Sequence, residues 1–187
     1  MRSAVSNSVG GPRPSKWRLR TTLKRRVEYR PIENDDLRYA WAAYKAGKLK
    51  DMGGPLSLEG MSATEFKAAF ESFVLTEFDA AWTMFAQTSK GFMPTGFIFC
   101  SWAPRSSYMI IVGVVWMPWA SNRNIVESIV KFMQAAGKEY PMLGYALPEH
   151  KQLYEVCCMH GVMRRIGTSM IVFPSHSAAV FETRAKQ

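Results

Sequence analysis

The sequence predicts an α/β fold with a mixed, mostly antiparallel central sheet of six to seven strands, flanked by about four helices. The chain has 187 residues, 48% of them hydrophobic and 21% charged, which suits one globular domain with a buried core. Apolar runs of strand length recur between turn residues, and other segments carry apolar residues at helical spacing behind capping residues. These patterns together predict a sheet and helices packed around a common core.

The first three elements are predicted as a strand and two helices. Apolar and polar residues alternate over 27–32, which is typical of a half-buried strand. Asn34 or Asp35 is the expected cap of the helix that follows. Ser62 and Glu65 have the spacing of a capping box, in which each side chain bonds the other residue's backbone N–H, so a second helix is predicted to begin there.

Three strands follow, at 80–87, 94–104 and 108–119, with turn residues between them. The segment 109–115 is almost unbroken apolar sequence. A strand of that composition is expected at the centre of a sheet, buried on both faces.

The last part of the chain continues the alternation of helices and strands. Helices are predicted at 121–139 and 149–160, and strands at 141–147 and 163–173. Residues 176–184 are expected to add one more edge strand or to trail away from the domain.

Positive charge is concentrated at the N-terminus, which predicts a basic arm over 1–26 and a domain over 27–187. The net charge is +9, and the arm holds eight basic residues and no acidic one. We expect this arm to bind a protein partner or a second copy of the chain; the alternatives are nucleic acid and a merely solvated leader. The residues expected to make the contact are Arg13, Lys16, Trp17, Arg18, Arg20, Lys24, Arg25 and Arg26.

Cysteine usage and hydropathy predict a cytoplasmic protein. The three cysteines, Cys100, Cys157 and Cys158, are an odd number, and the chain does not begin with a secretory pattern. No apolar run reaches the ~20 residues that a membrane helix needs, so no membrane contact is expected. No metal site is expected either, since the histidines and cysteines lack the spacing of metal ligands.

The order of elements from Pro94 to Gly167 resembles the core of the GNAT acyltransferase superfamily, and the chain is similar to small acetyltransferase-like proteins of tailed bacteriophages. In GNAT enzymes, backbone N–H groups at a helix N-terminus hold the pyrophosphate of coenzyme A. The family pattern there is Arg/Gln-x-x-Gly-x-Gly/Ala. Here that stretch is 119–124, with Trp119 in the first position and asparagine in both glycine positions.

The resemblance leaves two interpretations of this loop: an unusual but working coenzyme site, or a helix cap that has lost its ligand. In the family, backbone N–H groups of the central strand also polarise the thioester carbonyl. The residues that the resemblance assigns to acyl-CoA are Val114, Val115, Trp116, Ser121, Asn122, Arg123 and Asn124.

The resemblance also implies a proton donor on the last helix, where the family has a tyrosine. Counting back from Gly161 puts Cys157 in that position, and Tyr154 lies one helical turn earlier. Cys157 is alternatively a plain buried residue. Glu149 is the candidate general base, since it follows the end of a strand.

These observations support two hypotheses about function. The first is a GNAT-fold protein that requires no cofactor and serves as a structural or binding component of an assembly, such as a phage particle, docked through its basic arm. It predicts a cleft filled by Trp116, Met117 or Trp119. The alternative is an N-acetyltransferase that uses acetyl-CoA. The first hypothesis would place the protein in a host cytoplasm or inside a virus particle.

Overall fold

The computed structural model describes residues 26–48, 60–146, 151–171 and 176–183. Within these ranges the chain forms one seven-stranded sheet with helices on both faces. The strands are β1 Val27–Pro31, β2 Ala80–Thr88, β3 Gly91–Trp102, β4 Met109–Trp116, β5 Met142–Ala146, β6 Met163–Ile171 and β7 His176–Thr183. The helices are α1 Leu37–Lys45, α2 Ala63–Glu77, α3 Asn122–Glu139 and α4 Lys151–Met159.

The strand order is β1-β2-β3-β4-β5-β7-β6, and neighbours are antiparallel except for β4 and β5. The predicted fold class, a mixed and mostly antiparallel sheet flanked by helices, is confirmed. The strand β4 is central, as expected, but it is not buried throughout, because Val112 is 53% exposed.

The prediction for residues 176–184 was wrong. Strand β7 is neither an edge strand nor a trailing segment: it lies between β5 and β6 and pairs with both. The physical reason is that α4 carries the chain past β5 and leaves the position beside it vacant. The β6–β7 hairpin then folds back and fills that position with its second strand.

The sheet separates two apolar cores. On one face, α3 and α4 pack against the sheet through residues such as Phe132, Met133 and Cys157. On the other face, α1 and α2 cover β3 and β4, and Phe66 and Phe70 of α2 are buried there. The predicted capping box opens α2: Glu65 N–H donates to Ser62 Oγ, and Ser62 N–H donates to a Glu65 carboxylate oxygen at 2.8 Å.

The junction of β1 and α1 is organised by Asp36 rather than by the predicted caps Asn34 or Asp35, which lie in a single 3-10 turn. The carboxylate of Asp36 is fully buried. It accepts two hydrogen bonds from Arg30, at 2.7 and 2.9 Å, and one from the Thr83 hydroxyl at 2.8 Å. This network ties the start of α1 to β1 and β2.

Among the residues described, no helix is both long enough and apolar enough to cross a membrane. Nor do those residues gather three His, Cys, Asp or Glu side chains in a position to hold a metal ion.

Candidate active site

Strands β4 and β5 run parallel for only three residue pairs and then separate. The pairs are Met109 with Met142, Ile110 with Leu143, and Ile111 with Gly144. The register between β3 and β4 shifts at this point, and Val112 is the extra residue of the resulting β-bulge.

Beyond the bulge the two strands keep different partners. Strand β4 continues to Trp116 along β3, whereas β5 continues to Ala146 along β7. The edge of β4 from Val112 to Trp116 therefore has no strand beside it within the described part of the chain. Its backbone groups on that side are left to bond solvent or a ligand, and this opening is called the β4–β5 gap below.

The helix α3 follows β4 in the chain, and five residues, 117–121, connect the two. Ser121 caps it, because its hydroxyl accepts a hydrogen bond from the Asn124 N–H at 3.2 Å. The N–H groups of Asn122 and Arg123 have no acceptor among the described residues. These two N–H groups lie at the positive end of an 18-residue helix, where a negative charge is favoured.

Asn124 is a structural residue whose side chain points away from the gap. It is 5% exposed, its Oδ1 accepts from the Ser121 hydroxyl at 2.7 Å, and its Nδ2 donates to the Gln87 carbonyl oxygen at 3.0 Å. Gln87 belongs to β2, which lies on the opposite side of β4 from β5. The asparagine in this glycine position therefore anchors the first turn of α3 and does not fill the gap.

The other residues of the first turn of α3 are exposed. Asn122 lies at the surface, and Arg123 forms an ion pair with Glu127 at 3.0 Å along the same helix. At that spacing the guanidinium lies along the outer surface of α3 rather than under its N-terminus.

The three bulky residues that were expected to fill the cleft pack elsewhere. The ring of Trp116 covers Gly96 of β3, where an added Cβ would come within 2.7 Å of it. Met117 is buried in the core beneath α1 and α2. Trp119 donates from Nε1 to the Pro94 carbonyl at 2.8 Å and meets Tyr39 edge to face. All three therefore contact the β3 side of β4.

The remaining predicted residues of the central strand differ in burial. Val115 is buried in the core beneath α1 and α2, and Val114 is half-buried against the core beneath α3. Any interaction of these two residues with a ligand in the gap would therefore use their backbone groups.

Tyr154 lies over the point where β4 and β5 separate. Its ring occupies the space above Gly144, the last residue of β5 that pairs with β4, and it stacks on Phe181 of β7 at 5.1 Å. The side chain is 8% exposed, and within the described ranges its hydroxyl makes no hydrogen bond. Burial raises the pKa of Tyr154 well above its usual value, with smaller contributions from Cys100 and Cys157. Burying a phenol without a partner is costly, so a hydrogen-bond partner is expected beside this hydroxyl, and none lies among the described residues.

Cys157, the other candidate proton donor, is a core residue. It is 1% exposed, and burial raises the pKa of its thiol to about 12, with a smaller contribution from Cys158. It follows Tyr154 by about one helical turn, so both side chains face the same core. The structure thus brings Tyr154, and not the thiol at the position counted from Gly161, to the glycine of β5.

Several sequence-predicted residues lie outside the described part of the chain. They are Glu149, the candidate base, and the arm residues Arg13, Lys16, Trp17, Arg18, Arg20, Lys24 and Arg25. Arg26 is described, and it bonds within the domain: Nε donates to Glu28 at 2.7 Å, and the guanidinium lies 4.5 Å from the Phe92 ring centre.

Gly144 and Phe181, which contact the ring of Tyr154, were not among the predicted site residues. A glycine inside a predicted strand is a signal for the close approach of another group, and Gly144 lies in the predicted strand 141–147. No comparable signal marks Phe181, which lies in the segment that was not firmly assigned to a strand.

No model of a known protein family matches this chain, and no curated protein sequence matches it. Solved structures do match. A spermidine N-acetyltransferase SpeG chimera from Vibrio cholerae and hSSAT is 11% identical with a TM-score of 0.55, covering 84% of this chain and 94% of that one. A GNAT-family acetyltransferase from Bacillus anthracis is 14% identical with a TM-score of 0.56, covering 89% and 95%.

A third match is the histone acetyltransferase HPA2 and related acetyltransferase from Corynebacterium glutamicum. It is 11% identical with a TM-score of 0.55, covering 85% of this chain and 96% of that one. Likeness at this level of identity shows the fold, and the chain has the GNAT fold.

Proposed function

We propose that the protein is an acyltransferase that moves an acetyl group from acetyl-CoA to an amine. One observation carries the proposal: the buried Tyr154 hydroxyl, which has no hydrogen bond among the described residues, lies at the closed end of the β4–β5 gap. The helix that follows β4 in the chain, α3, begins with two N–H groups that have no acceptor among those residues. The hydroxyl is complementary to the thioester at one end of the pantetheine arm of acyl-CoA, and the N–H groups are complementary to the pyrophosphate at its other end.

The residues present fit the coenzyme in spite of the missing glycines. A pyrophosphate needs N–H donors at a helix N-terminus and an approach that side chains leave open. Asn122 and Arg123 supply the donors, and the side chain of Asn124 is turned toward β2. This arrangement supports the interpretation of the loop as a working coenzyme site.

Tyr154 is proposed as the general acid. The acceptor nitrogen forms a bond to the thioester carbon, the carbon–sulfur bond breaks, and the departing sulfur takes the proton of the Tyr154 hydroxyl. The nitrogen loses its proton to the general base, proposed to be Glu149, and solvent then returns a proton from that base to the phenolate. Because burial raises the pKa of Tyr154, the phenol keeps its proton throughout the neutral range, which is the protonation state that a general acid needs.

The backbone of β4 is proposed to polarise the thioester carbonyl. The strand edge from Val112 to Trp116 faces the gap without a strand partner among the described residues, and N–H groups there are fixed by pairing with β3. Fixed donors aimed at a developing oxyanion need no reorganisation during the reaction. Glu149 is proposed as the base that receives the proton of the acceptor.

The enzyme hypothesis is better supported than an assembly component. The three similar structures reported above are named as acetyltransferases, among them enzymes for spermidine and histones. The bulky residues expected to fill the cleft pack against β3 and α1. The basic arm over 1–26 is compatible with either hypothesis, and we propose that it binds a protein partner.

Isothermal titration with acetyl-CoA and with coenzyme A tests the proposal first. We expect micromolar dissociation constants for both, since each carries the pyrophosphate. A panel of amines, including spermidine, an arylamine and a lysine-containing histone peptide, is then screened for release of the coenzyme A thiol. Tyr154→Phe keeps the ring and removes the hydroxyl, so it should bind acetyl-CoA normally and release thiol at least about a hundredfold more slowly.

A different result would refute the acyltransferase proposal. Folded protein that shows no heat with either ligand at millimolar concentration has no coenzyme site. In that case the assembly hypothesis becomes the better one, and deletion of residues 1–26 is the next experiment. Equal thiol release by the wild-type protein and Tyr154→Phe would exclude Tyr154 as the acid.

A further inference from the structure

We propose that Gly144 and Phe181 are positioning residues that together fix the Tyr154 hydroxyl at the closed end of the β4–β5 gap. The inference rests on the proposed acyltransferase function and deepens it. Neither residue touches the reacting atoms; both act through the ring of Tyr154.

Gly144 and Phe181 are direct cross-strand partners on β5 and β7. Side chains of such a pair lie on the same face of the sheet, about 5 Å apart. Here the face is the one covered by α4, since Phe181 belongs to the same core as Tyr154. The ring of Tyr154 stacks on Phe181 at an interplanar angle of 21° and occupies the place where a side chain of residue 144 would be.

Gly144 is needed here for space. A Cβ added at this position would fall on the Tyr154 ring, its nearest atom being Cε1, with Cζ at 2.8 Å and Cδ1 at 3.0 Å. The ring edge of a buried tyrosine cannot yield as the end of a flexible side chain does, so an alanine at 144 would push the ring outward. Because Cζ carries the hydroxyl, the displacement passes directly to the proton donor.

Phe181 sets the tilt of the same ring. It is 1% exposed and immobilised between strands that pair on both sides of β7. Stacking on Phe181, with the ring centroids 5.1 Å apart, leaves the Tyr154 ring little freedom to rotate. Gly144 pairs with Ile111 in the last pair between β4 and β5, so the ring above it is held where the two strands begin to separate.

Coenzyme binding and proton donation would depend on different parts of the site. Binding of acetyl-CoA would depend on α3 and β4, whereas proton donation would depend on the clamp formed by Gly144 and Phe181. A displacement of about 1 Å at a catalytic group is enough to cost about a hundredfold in rate. The clamp is therefore expected to affect turnover and not coenzyme affinity.

The test compares Gly144→Ala with Gly167→Ala. Gly167 lies in β6, and a Cβ added there meets nothing within 4 Å, so this variant reports the general cost of alanine in place of a strand glycine. We expect Gly144→Ala to bind acetyl-CoA within twofold of the wild-type protein and to lose about a hundredfold in kcat. Gly167→Ala should keep both quantities within twofold.

A double variant separates positioning from a merely structural role. If Gly144 acts through the Tyr154 hydroxyl, adding Gly144→Ala to Tyr154→Phe should cause little further loss of kcat. A full additional loss would show that Gly144 acts by another route and would overturn the inference. If Gly144→Ala does not fold, Phe181→Leu takes its place, since it removes the stacking ring and leaves the glycine; the loss of kcat is then expected to be on the order of tenfold.

A measurement without any ligand tests the geometry itself. The ring resonances of Tyr154, assigned in isotope-labelled protein by their absence from Tyr154→Phe, should shift in Gly144→Ala and in Phe181→Leu and remain in place in Gly167→Ala. If the Tyr154 resonances do not shift in Gly144→Ala, the inference that Gly144 positions the ring is wrong. Absence of acetyl-CoA binding by the wild-type protein refutes the acyltransferase proposal, and with it the catalytic meaning of the clamp. Normal binding with unchanged turnover in folded Gly144→Ala refutes the clamp alone.

Discussion

Replacing Asn124 by glycine restores one residue of the GNAT coenzyme motif, and we expect it to damage the site rather than improve it. The variant removes two hydrogen bonds of a buried amide, one from the Ser121 hydroxyl at 2.7 Å and one to the Gln87 carbonyl at 3.0 Å. At about 1 kcal/mol for each bond, with up to about 1 kcal/mol more for the backbone freedom of glycine, the free energy of unfolding should fall by about 3 kcal/mol.

Asn122→Gly is the matched control. Asn122 is exposed, lies in the same helical turn and has no side-chain hydrogen bond among the described residues. This variant carries the cost of glycine without the loss of the buried bonds, so its unfolding free energy should fall by no more than about 1 kcal/mol. The difference between the two variants, about 2 kcal/mol, measures the anchoring by Asn124.

Urea unfolding at a constant denaturant slope gives both free energies, and titration with acetyl-CoA gives the affinities. We expect Asn124→Gly to bind acetyl-CoA more weakly than Asn122→Gly, because the first turn of α3 is no longer held. If Asn124→Gly proved as stable as Asn122→Gly and bound the coenzyme more tightly than wild type, Asn124 would be an obstacle in the phosphate site. The interpretation of its side chain as an anchor would then be wrong.

Three further predictions concern the domain around the site. Asp36→Ala leaves Arg30 without its bidentate partner in a buried network, so it should lower the unfolding free energy by about 3 kcal/mol. The control, exposed Asp35→Ala, should change that free energy by less than about 0.5 kcal/mol, and similar urea midpoints for the two variants would contradict the prediction. Because Cys100 and Cys157 are buried, a thiol reagent at neutral pH should modify one cysteine of the native protein and all three after unfolding. The Cys158→Ser variant should therefore show no reaction in the native state. Burial raises the pKa of Tyr29 from 10.0 to about 12, so its contribution to stability is complete below pH 10 and is lost as pH rises toward 12. By roughly pH 11 the unfolding free energy should have fallen by about 1 kcal/mol more in the wild-type protein than in Tyr29→Phe.

Much of the fold was predictable because its signals are local. The capping box of Ser62 and Glu65, and Ser121 as the cap of α3, depend on residues within one helical turn. The insertion of β7 between β5 and β6, by contrast, depends on pairing between β5 and β7, whose paired residues lie more than thirty positions apart in the sequence. Residues 176–184 carry no pattern that specifies those partners, so their place in the sheet could not be predicted.

The candidate site shows the same limit at the level of single residues. Tyr154 and Cys157 lie about one turn apart on one helix face, and their order alone does not say which of them meets Gly144. That depends on how far α4 slides along the sheet, which tertiary packing decides. The two asparagines in glycine positions suggested a lost ligand, but the partner of Asn124 is a backbone carbonyl, and a backbone acceptor leaves no mark in the sequence.

The loop that leads into α3 is held by two side chains, Trp119 and Asn124, which both donate to carbonyl oxygens of the β2–β3 hairpin, those of Pro94 and Gln87. Every amino acid supplies such an oxygen, so the hairpin is free to exchange its side chains over evolutionary time without loosening the loop. What it cannot change freely is its register, since a slip of one residue between β2 and β3 would move the Pro94 acceptor relative to the Gln87 acceptor. The two hydrogen bonds therefore constrain strand register rather than side-chain identity, and very different sequences can satisfy such a constraint.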